Sequence, residues 1–435
     1  MTSNTLRAAS AVLALALAAG AAGCATDDAD SSGDVKVARS SLARDTAPDV
    51  DPATMATLVA DDTAFTLGLY AQLAAGKAQG QNLFFSGHSV SRAFAMLWGG
   101  ARGATEREIA EALRFTLPQE RLHPAMNRLA LELESRAAAG GSGSDGKGFR
   151  LAMNNAFWGE QTTEWEAPYL DLLAVNYDAG IQLVDFAGAF EPARRTINAW
   201  TEDKTEGRVK DLLPDGSLDA STRFVLVNTV YFNAAWLEEF QPATVTFAAP
   251  GGAADVPAIR QVSDDLRHAE TEDAEVVAIP YEGRKLELVV VVPKALDAFE
   301  AKLDGEVFAS LTDALVPANV DLTMPKVRIE GATISLKDEL GAMGMSTAFG
   351  GGDFSGMTRT ASLAIDDVYH QAFVKIDEKG TEAAAATAIV GREVSAPVDP
   401  PKTVVVDKPY LLFVRDVPTG AVLFTGRVVS PAFAE

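Results

Sequence analysis

Residues 377–388 read DEKGTEAAAATA and directly follow an apolar run, AFVKI at 372–376, that is typical of a β-strand. Five of the eight residues from Thr381 to Ala388 are alanine. Gly380 gives the backbone a point where it can turn freely. In an extended chain, side chains alternate between two faces. One face would then carry only small, uncharged side chains, those of Thr381, Ala383, Ala385 and Thr387. This pattern predicts a hinge that can enter a β-sheet as an additional strand.

The alanine run has a second interpretation. Alanine has the highest intrinsic helix propensity, so the local sequence also allows a helix or a simple linker at residues 381–388. In the extended interpretation, the opposite face carries Glu382 and Arg392, which water can solvate. The rest of the chain has to decide between these interpretations.

The N-terminal residues 1–23 have the pattern of an export signal. Arg7 gives a short positive start, residues 11–19 are apolar, and small residues follow. The apolar part is too short to span a bilayer as a helix. The only cysteine, Cys24, directly follows AAG at 21–23, which resembles a bacterial lipoprotein signal whose cysteine is lipidated. Ordinary secretion with cleavage at a nearby alanine is the alternative. We therefore expect an exported chain, either a cell-envelope lipoprotein or an extracellular protein.

The composition of the 435 residues is that of a globular protein with a large core, since 48% are hydrophobic and 22% are charged. The 60 acidic and 37 basic residues give a formal charge of −23, which argues against nucleic-acid binding. Without a second cysteine, no disulfide is expected. Residues 24–54 are rich in Asp, Ser, Ala and Pro and have no apolar periodicity, which predicts a disordered tether behind the lipidated Cys24.

Residues 55–435 alternate helical and strand patterns without a clear domain break. Apolar residues spaced as in an amphipathic helix occur at 90–97. The runs Phe224–Phe232 and Leu286–Val292 are almost continuously apolar, as in strands covered on both faces. Helical patterns come mostly first and strand patterns mostly later, which predicts one α+β domain.

Several blocks, in this order, resemble the serpin family. They are NLFFS at 82–86, GARGAT at 100–105, INAW to KTEG at 197–207, VLVNTVYF at 225–232 with Trp236 and Phe240, MPK at 324–326, DFSG at 353–356, the hinge glutamate Glu378, and KPY at 408–410 with GR at 426–427. Together they cover about residues 58–433. The resemblance implies a serpin fold, which is a single domain with a large central mixed β-sheet, further sheets, several helices and an exposed reactive loop at about residues 378–403.

The resemblance also implies a function. A serpin acts as a suicide substrate: a serine protease cleaves the loop and forms an acyl-enzyme, and the loop then inserts into the main sheet and traps the protease. The expected partner is a target serine protease in a covalent complex, and the chain is expected to be monomeric. We expect no enzymatic activity, no cofactor and no metal, and contact with a membrane only through the N-terminal lipid.

The scissile bond follows from the family's spacing. Counted with Glu378 as the first residue, the seventeenth is Val394, which places the cut before Ser395. A small β-branched residue there suits the pocket of an elastase-like or subtilisin-like protease. The alternative is the bond from Arg392 to Glu393, which would indicate a trypsin-like target.

Further residues have roles implied by the same resemblance. A polar cluster under the sheet, where strands part to admit the loop, would consist of Ser86, Ser89, Asn228 and His370. Trp236 would pack where the loop enters, and Lys326 would pair with Glu378. All of them could instead be ordinary structural residues, because buried polar groups need partners in any fold. The chain departs from the family at Gly87-His88, since proline usually follows the first serine of the cluster.

Two other functional classes fit the sequence less well. A hydrolase is disfavoured because the four histidines accompany no G-x-S-x-G motif. A serpin that does not inhibit would be a binding or decoy protein, cleaved as a plain substrate. Charged, bulky or proline residues on the inward face of the hinge would indicate that case. The inward face has none from Thr381 to Thr387, which favours inhibition.

Overall fold

The computed structural model describes residues 35–138, 141–330, 333–381 and 400–431. Its helices α1 to α9 span Pro52–Ala75, Gly87–Trp98, Gly103–Ala112, Gln119–Ala138, Ala167–Tyr177, Phe186–Lys204, Leu296–Glu300, Gly305–Asp313 and Lys337–Ala342. Its strands β1 to β19 span Lys36–Ala38, Leu83–Phe85, Arg150–Glu160, Ile181–Val184, Phe224–Ala235, Gln241–Ala249, Gly252–Ser263, Arg267–Glu270, Ala274–Pro280, Leu286–Pro293, Val316–Pro317, Val320–Pro325, Val327–Glu330, Ile334–Ser335, Tyr369–Ile376, Gly380–Thr381, Lys402–Val405, Tyr410–Asp416 and Val422–Val428.

The strands form three sheets. The main sheet has eight strands in the order β1-β4-β3-β5-β16-β15-β13, with β14 also paired to β15. It is mixed, because β3 and β4 run parallel, as do β5 and β15, whereas β3 and β5 run antiparallel. The second sheet has the order β11-β8-β9-β10-β18-β19-β2, and the third has the order β17-β12-β7-β6. This architecture confirms the predicted fold with a large mixed sheet, further sheets and several helices.

The central strand β5 is covered on both faces, as its apolar sequence predicts. On one face, Phe232 of β5 approaches Phe424 of the second sheet, with ring centroids 5.7 Å apart. On the other face of the main sheet, Trp158 of β3 meets Trp200 of α6 edge-on at 5.9 Å. The main sheet is therefore packed between the second sheet and α6.

Helix α2 is buried along almost its whole length. Ser86 caps its N-terminus, because its hydroxyl accepts a hydrogen bond of 3.1 Å from the Ser89 N–H. The Ser86 hydroxyl also donates to the Leu423 carbonyl of β19, at 2.6 Å. These contacts fix the start of α2 between the main sheet and the second sheet, where the polar cluster was predicted.

The N-terminal segment differs from its prediction. Strand β1 pairs antiparallel with β4 and extends the edge of the main sheet. Beyond it, the Asp45 N–H donates to the Val175 carbonyl at 3.0 Å, and Arg44 contacts Glu134 of α4 at 2.9 Å. Asp51 then caps α1 by accepting from the Thr54 N–H. The prediction of a disordered tether is therefore wrong for residues 36–54, which belong to the same compact unit as the rest of the domain. The segment is ordered without apolar periodicity of its own because β4, α4 and α5 hold it in place.

Candidate hinge and sheet-opening site

The hinge strand β16 lies between β5 and β15. Thr381 pairs with Ala234 of β5 and with Ile376 of β15, both antiparallel. Farther along, β5 and β15 pair directly with each other, over Val227–Val230 and Tyr369–Ala372. The main sheet therefore admits an additional strand at one end and is closed at the other.

Thr381 is the buried tip of this short strand, with 1% of its surface exposed. Its hydroxyl oxygen lies 2.7 Å from the Tyr281 hydroxyl, and its carbonyl accepts a hydrogen bond of 3.0 Å from the Ser144 hydroxyl. Burial raises the pKa of Tyr281, so its phenol stays protonated and can donate. The Tyr281 ring stacks on Trp236, with ring centroids 4.6 Å apart. The side chain of Thr381 therefore faces the protein interior.

Trp236 lies beside the residues that lead into the hinge. Its indole N–H donates to the Asp377 carbonyl at 2.9 Å, and its backbone N–H donates to the Lys379 carbonyl at 3.0 Å. The Lys326 ammonium lies 2.5 Å from a carboxylate oxygen of Glu378. Both side chains of that pair are about one-fifth exposed, so salt screens their attraction less than that of a fully exposed pair.

Residue 380 has to be glycine because the backbone of β5 approaches it closely. A Cβ atom at this position would lie 2.1 Å from the Ala234 carbonyl oxygen and 2.8 Å from the Ser144 Cβ. Any other residue would push the hinge away from β5. The remaining predicted hinge residues, Ala383, Ala385 and Thr387, lie outside the described residues, as do both candidate bonds (Val394 to Ser395 and Arg392 to Glu393) and Cys24.

The structure brings the four predicted cluster residues together where β5 and β15 meet. His370 is opposite Asn228 in the strand register. His370 Nε2 accepts a hydrogen bond from the Ser86 N–H at 3.1 Å, so its proton is on Nδ1 and is donated to Asn228 Oδ1 at 2.6 Å. Asn228 Nδ2 donates to the Ser89 hydroxyl at 2.6 Å. A continuous network therefore links α2, β5 and β15 under the closed part of the sheet.

The network depends on a neutral imidazole. His370 is fully buried, and burial lowers its pKa to about 4. A proton on Nε2 would remove the acceptor that the Ser86 N–H uses. At neutral pH, the hydrogen bond from His370 to Asn228 is thus a direct side-chain link across the paired strands β5 and β15.

Sequence reasoning missed three residues of this site. Asn155 of β3 joins the cluster by accepting a hydrogen bond from Asn228. Its signal was available, since Asn154-Asn155 interrupts the apolar strand pattern as Asn228 does. Tyr281 and Ser144 contact Thr381, from which they are 100 and 237 residues distant along the chain. No local pattern indicates contacts of that separation.

The departure at Gly87-His88 has a structural explanation. His88 is buried against α1, where its Nδ1 lies 2.8 Å from Asp62 Oδ2. A Cβ atom at Gly87 would lie 2.2 Å from the Thr66 hydroxyl oxygen. Glycine at this position therefore lets α1 pack closely against the start of α2.

Gly87→Ala is expected to destabilise the domain by about 1–3 kcal/mol, because the added methyl group overpacks the contact with Thr66. Gly305→Ala is the matched control. Gly305 is also the first residue of a helix, α8, but its Cβ position faces open space. Thermal denaturation should show a lower midpoint for Gly87→Ala and no decrease for Gly305→Ala. Equal midpoints for the two variants would contradict the close packing at Gly87.

In the part of the chain that the structure describes, the partners of the four histidines do not complete a catalytic triad. His88 contacts Asp62, His123 contacts the Tyr177 hydroxyl, His268 contacts Glu275 and His370 contacts Asn228. Among the described residues, no group of three or more His, Cys, Asp or Glu side chains is arranged to hold a metal ion. Within the same ranges, none of the helices combines the length and the apolar composition that crossing a membrane requires.

Comparison with known proteins identifies the family. The family model described as Serpin (serine protease inhibitor) matches residues 60–431. The chain belongs to the serpin family. An uncharacterized serpin-like protein of Thermococcus kodakarensis is 34% identical over 374 residues, which are 84% of each chain. Human Serpin B3 is 32% identical in an alignment 403 residues long that covers 85% of this chain and 98% of that protein.

The fold comparison agrees with the sequence comparison. The solved structure of a tumour-suppressing serpin matches with a TM-score of 0.75 at 21% identity and covers 86% of this chain and 100% of that one. At that identity, the likeness shows the fold alone. Serpins are generally protease inhibitors rather than enzymes. The hinge and the polar cluster described above lie within the residues that match the serpin family model.

Proposed function

We propose that this serpin is a suicide-substrate inhibitor of a serine protease. The observation that carries the proposal is the position of Thr381, which is seated between β5 and β15 while the sheet beyond it is closed. The chain that follows Thr381 would continue this strand after cleavage. Because β5 and β15 are already separated at Thr381, insertion needs only to separate the remaining part of the same two strands.

The strand register supports small residues at the inward positions. Continuing the register by two residues after insertion would bring Ala383 between Phe232 and Val374, which are buried. Ala385 would follow between Val230 and Ala372. A methyl side chain can enter such a packed layer without the strain that larger groups cause.

The same register gives the polar cluster a role in insertion. Six residues beyond Thr381, Thr387 would lie between Asn228 and His370. The hydrogen bond that joins those two side chains must break for insertion to pass this point. The hydroxyl of Thr387 would then offer both buried groups a new partner, which avoids the cost of unsatisfied polar atoms.

The chemistry of trapping is supplied by the protease. Its serine oxygen attacks the carbonyl carbon of Val394, the bond to the nitrogen of Ser395 breaks, and that nitrogen takes the proton that the protease histidine had removed from the serine. An ester then joins Val394 to the protease. This serpin contributes the insertion step, which has to separate the ester from the catalytic residues before water hydrolyses it.

The experiment mixes residues 25–435 with an elastase-like protease, a trypsin-like protease and a subtilisin, followed by denaturing gels and mass spectrometry. We expect a covalent band near the summed masses with the elastase-like protease or the subtilisin, and a cut after Val394. A protease whose catalytic serine is replaced by alanine is the control and should give no band. A covalent band with the trypsin-like protease and a cut after Arg392 would show that the scissile bond is the one from Arg392 to Glu393.

A different result would support a different function. Clean cleavage without a covalent band, with all three proteases, would contradict inhibition. The protein would then be a binding or decoy serpin that is cleaved as a plain substrate.

We also propose that the chain is exported and lipidated at Cys24. The support is the sequence pattern of residues 1–24. Full-length protein and Cys24→Ala, expressed in a bacterial host, should differ in detergent partitioning, and mass spectrometry should find acyl chains only on the first. A mature N-terminus other than Cys24 in the full-length protein would indicate ordinary secretion.

A further inference from the structure

We infer that residues 141–148, a glycine- and serine-rich hairpin here called the clasp, position the hinge for insertion by holding Thr381 in the sheet before any protease acts. The inference rests on the proposed function for its consequence. Its structural part concerns only the uncleaved protein.

The clasp is an ordered turn. Gly143 N–H donates to the Lys147 carbonyl at 2.6 Å, and Phe149 N–H donates to the Gly141 carbonyl at 3.0 Å. The Asp145 carboxylate accepts a hydrogen bond from Arg150, at 2.6 Å. Burial acts to raise the pKa of Asp145, but its bonds with Arg150 and the Lys147 N–H hold that pKa below its usual value. The carboxylate that braces the turn is therefore charged at neutral pH.

The clasp is attached to the C-terminal end of β5. The Ala235 N–H donates to the Ser142 carbonyl at 2.9 Å. The Ser144 N–H donates to Asn233 Oδ1 at 2.7 Å. The Arg150 guanidinium lies over the Tyr231 ring at 5.7 Å. Tyr231, Asn233 and Ala235 are alternate residues on one face of β5, so the clasp and the adjoining Arg150 are held along the face of the strand against which the hinge is seated.

Ser144 connects the clasp to the hinge. Only 5% of its surface is exposed, and its hydroxyl lies within hydrogen-bond distance of two acceptors, the Thr381 carbonyl at 3.0 Å and Asn233 Oδ1 at 3.1 Å. Because Asn233 Oδ1 already accepts from the Ser144 N–H, we assign the single hydroxyl proton to the Thr381 carbonyl. A Cβ atom at Gly380 would lie only 2.8 Å from the Ser144 Cβ, so the clasp and the hinge backbone are in close contact. A buried carbonyl that lost this donor would be costly to leave in place. The clasp therefore favours the seated hinge over the released one.

A seated hinge gives insertion a starting point. Ordering the first residues of a new strand costs conformational entropy before most of its contacts exist. The clasp holds those residues in order while the loop is intact. After cleavage, insertion begins from a strand already in register and competes better with hydrolysis of the ester.

The test compares Ser144→Ala with Ser142→Ala in residues 25–435. The bonds shown for Ser142 come from its backbone, so its variant is the matched control. Hydrogen exchange with mass spectrometry follows the peptide that covers residues 377–381. We expect protection to fall about three- to tenfold in Ser144→Ala, as for one lost hydrogen bond, and to stay unchanged in Ser142→Ala. Ser144→Thr, which keeps the hydroxyl, should retain most of the protection.

The second readout is the stoichiometry of inhibition, the number of serpin molecules consumed for each protease molecule trapped. It should rise at least about twofold in Ser144→Ala and in neither of the other variants. Unchanged hinge protection in Ser144→Ala would overturn the inference that the clasp holds Thr381 in the sheet, even if the parent protein inhibits. Reduced protection with unchanged stoichiometry would overturn its role in insertion. If no variant traps a protease, the proposed function fails, whereas the exchange result still decides whether the clasp holds the hinge.

Discussion

Replacing Thr381 with arginine is expected to abolish trapping while leaving the loop cleavable. Thr381 is buried and faces Tyr281, with no acidic side chain among its hydrogen-bond partners. Burying an unpaired guanidinium costs several kcal/mol, and each 1.4 kcal/mol is a factor of about ten in rate. The fraction of cleavage events that end in a covalent complex should therefore fall at least about a hundredfold. Denaturing gels measure that fraction directly.

Glu382→Arg is the matched control for this variant. The alternation of the hinge places residue 382 on the opposite face, where a charged side chain already occurs in the natural sequence. It should therefore trap protease nearly as well as the parent protein. If Thr381→Arg still forms the covalent complex at the parent level, insertion through this site is wrong as the mechanism. If both variants lose trapping equally, the two-faced description of the hinge is wrong.

Local patterns in the sequence predicted individual strands, whereas the arrangement of the sheets was implied by the resemblance to serpins. The apolar run at 224–232 was sufficient to predict a strand covered on both faces, and β5 is that strand. The resemblance assigned Asn228 to a polar cluster, and the structure shows its side chain in a hydrogen-bonded network. The alternation at Thr381 indicated an inward-facing small residue, and Thr381 is buried.

The remaining parts depend on contacts between distant segments. The clasp has the composition of an exposed loop, and nothing in residues 141–148 indicates that Ser144 would be buried against Thr381. Strand β1 has three residues and exists because the edge of β4 offers it partners. The contact of His88 with Asp62 follows from the packing of α2 against α1, which neither helix specifies alone.

The domain is also expected to lose stability as the pH falls from about 6.5 toward 4. An unfolded histidine has a pKa of about 6.5, whereas burial lowers the pKa of His370 to about 4 in the folded protein. Between these values the unfolded chain binds more protons than the folded one, so acid favours unfolding. At 1.36 kcal/mol per pH unit, the loss from His370 is about 2 kcal/mol at pH 5. His123, which is also buried with a pKa lowered to about 4, adds a loss of the same sign.

The variant that isolates His370 is His370→Gln. An amide can accept from the Ser86 N–H and donate to Asn228, but it does not titrate. The free energy of unfolding, measured by denaturant titration, should change less between pH 7 and pH 5 in His370→Gln than in the parent protein, by about 2 kcal/mol. His123→Gln is the second arm, because it removes a different buried imidazole that is not part of the cluster. A parent protein and His370→Gln with the same pH dependence would show that His370 is not held neutral by burial.

The same proton should also weaken the closure of the main sheet. Protonated His370 would present N–H groups to both Asn228 and the Ser86 N–H, so one acceptor of the network is lost. The side-chain link between β5 and β15 would then no longer be supported from α2. We therefore expect spontaneous insertion of the intact loop, measured as loss of inhibitory activity during incubation, to be faster at pH 5 than at pH 7. His370→Gln should reduce that acceleration, because its link between the strands does not change with pH.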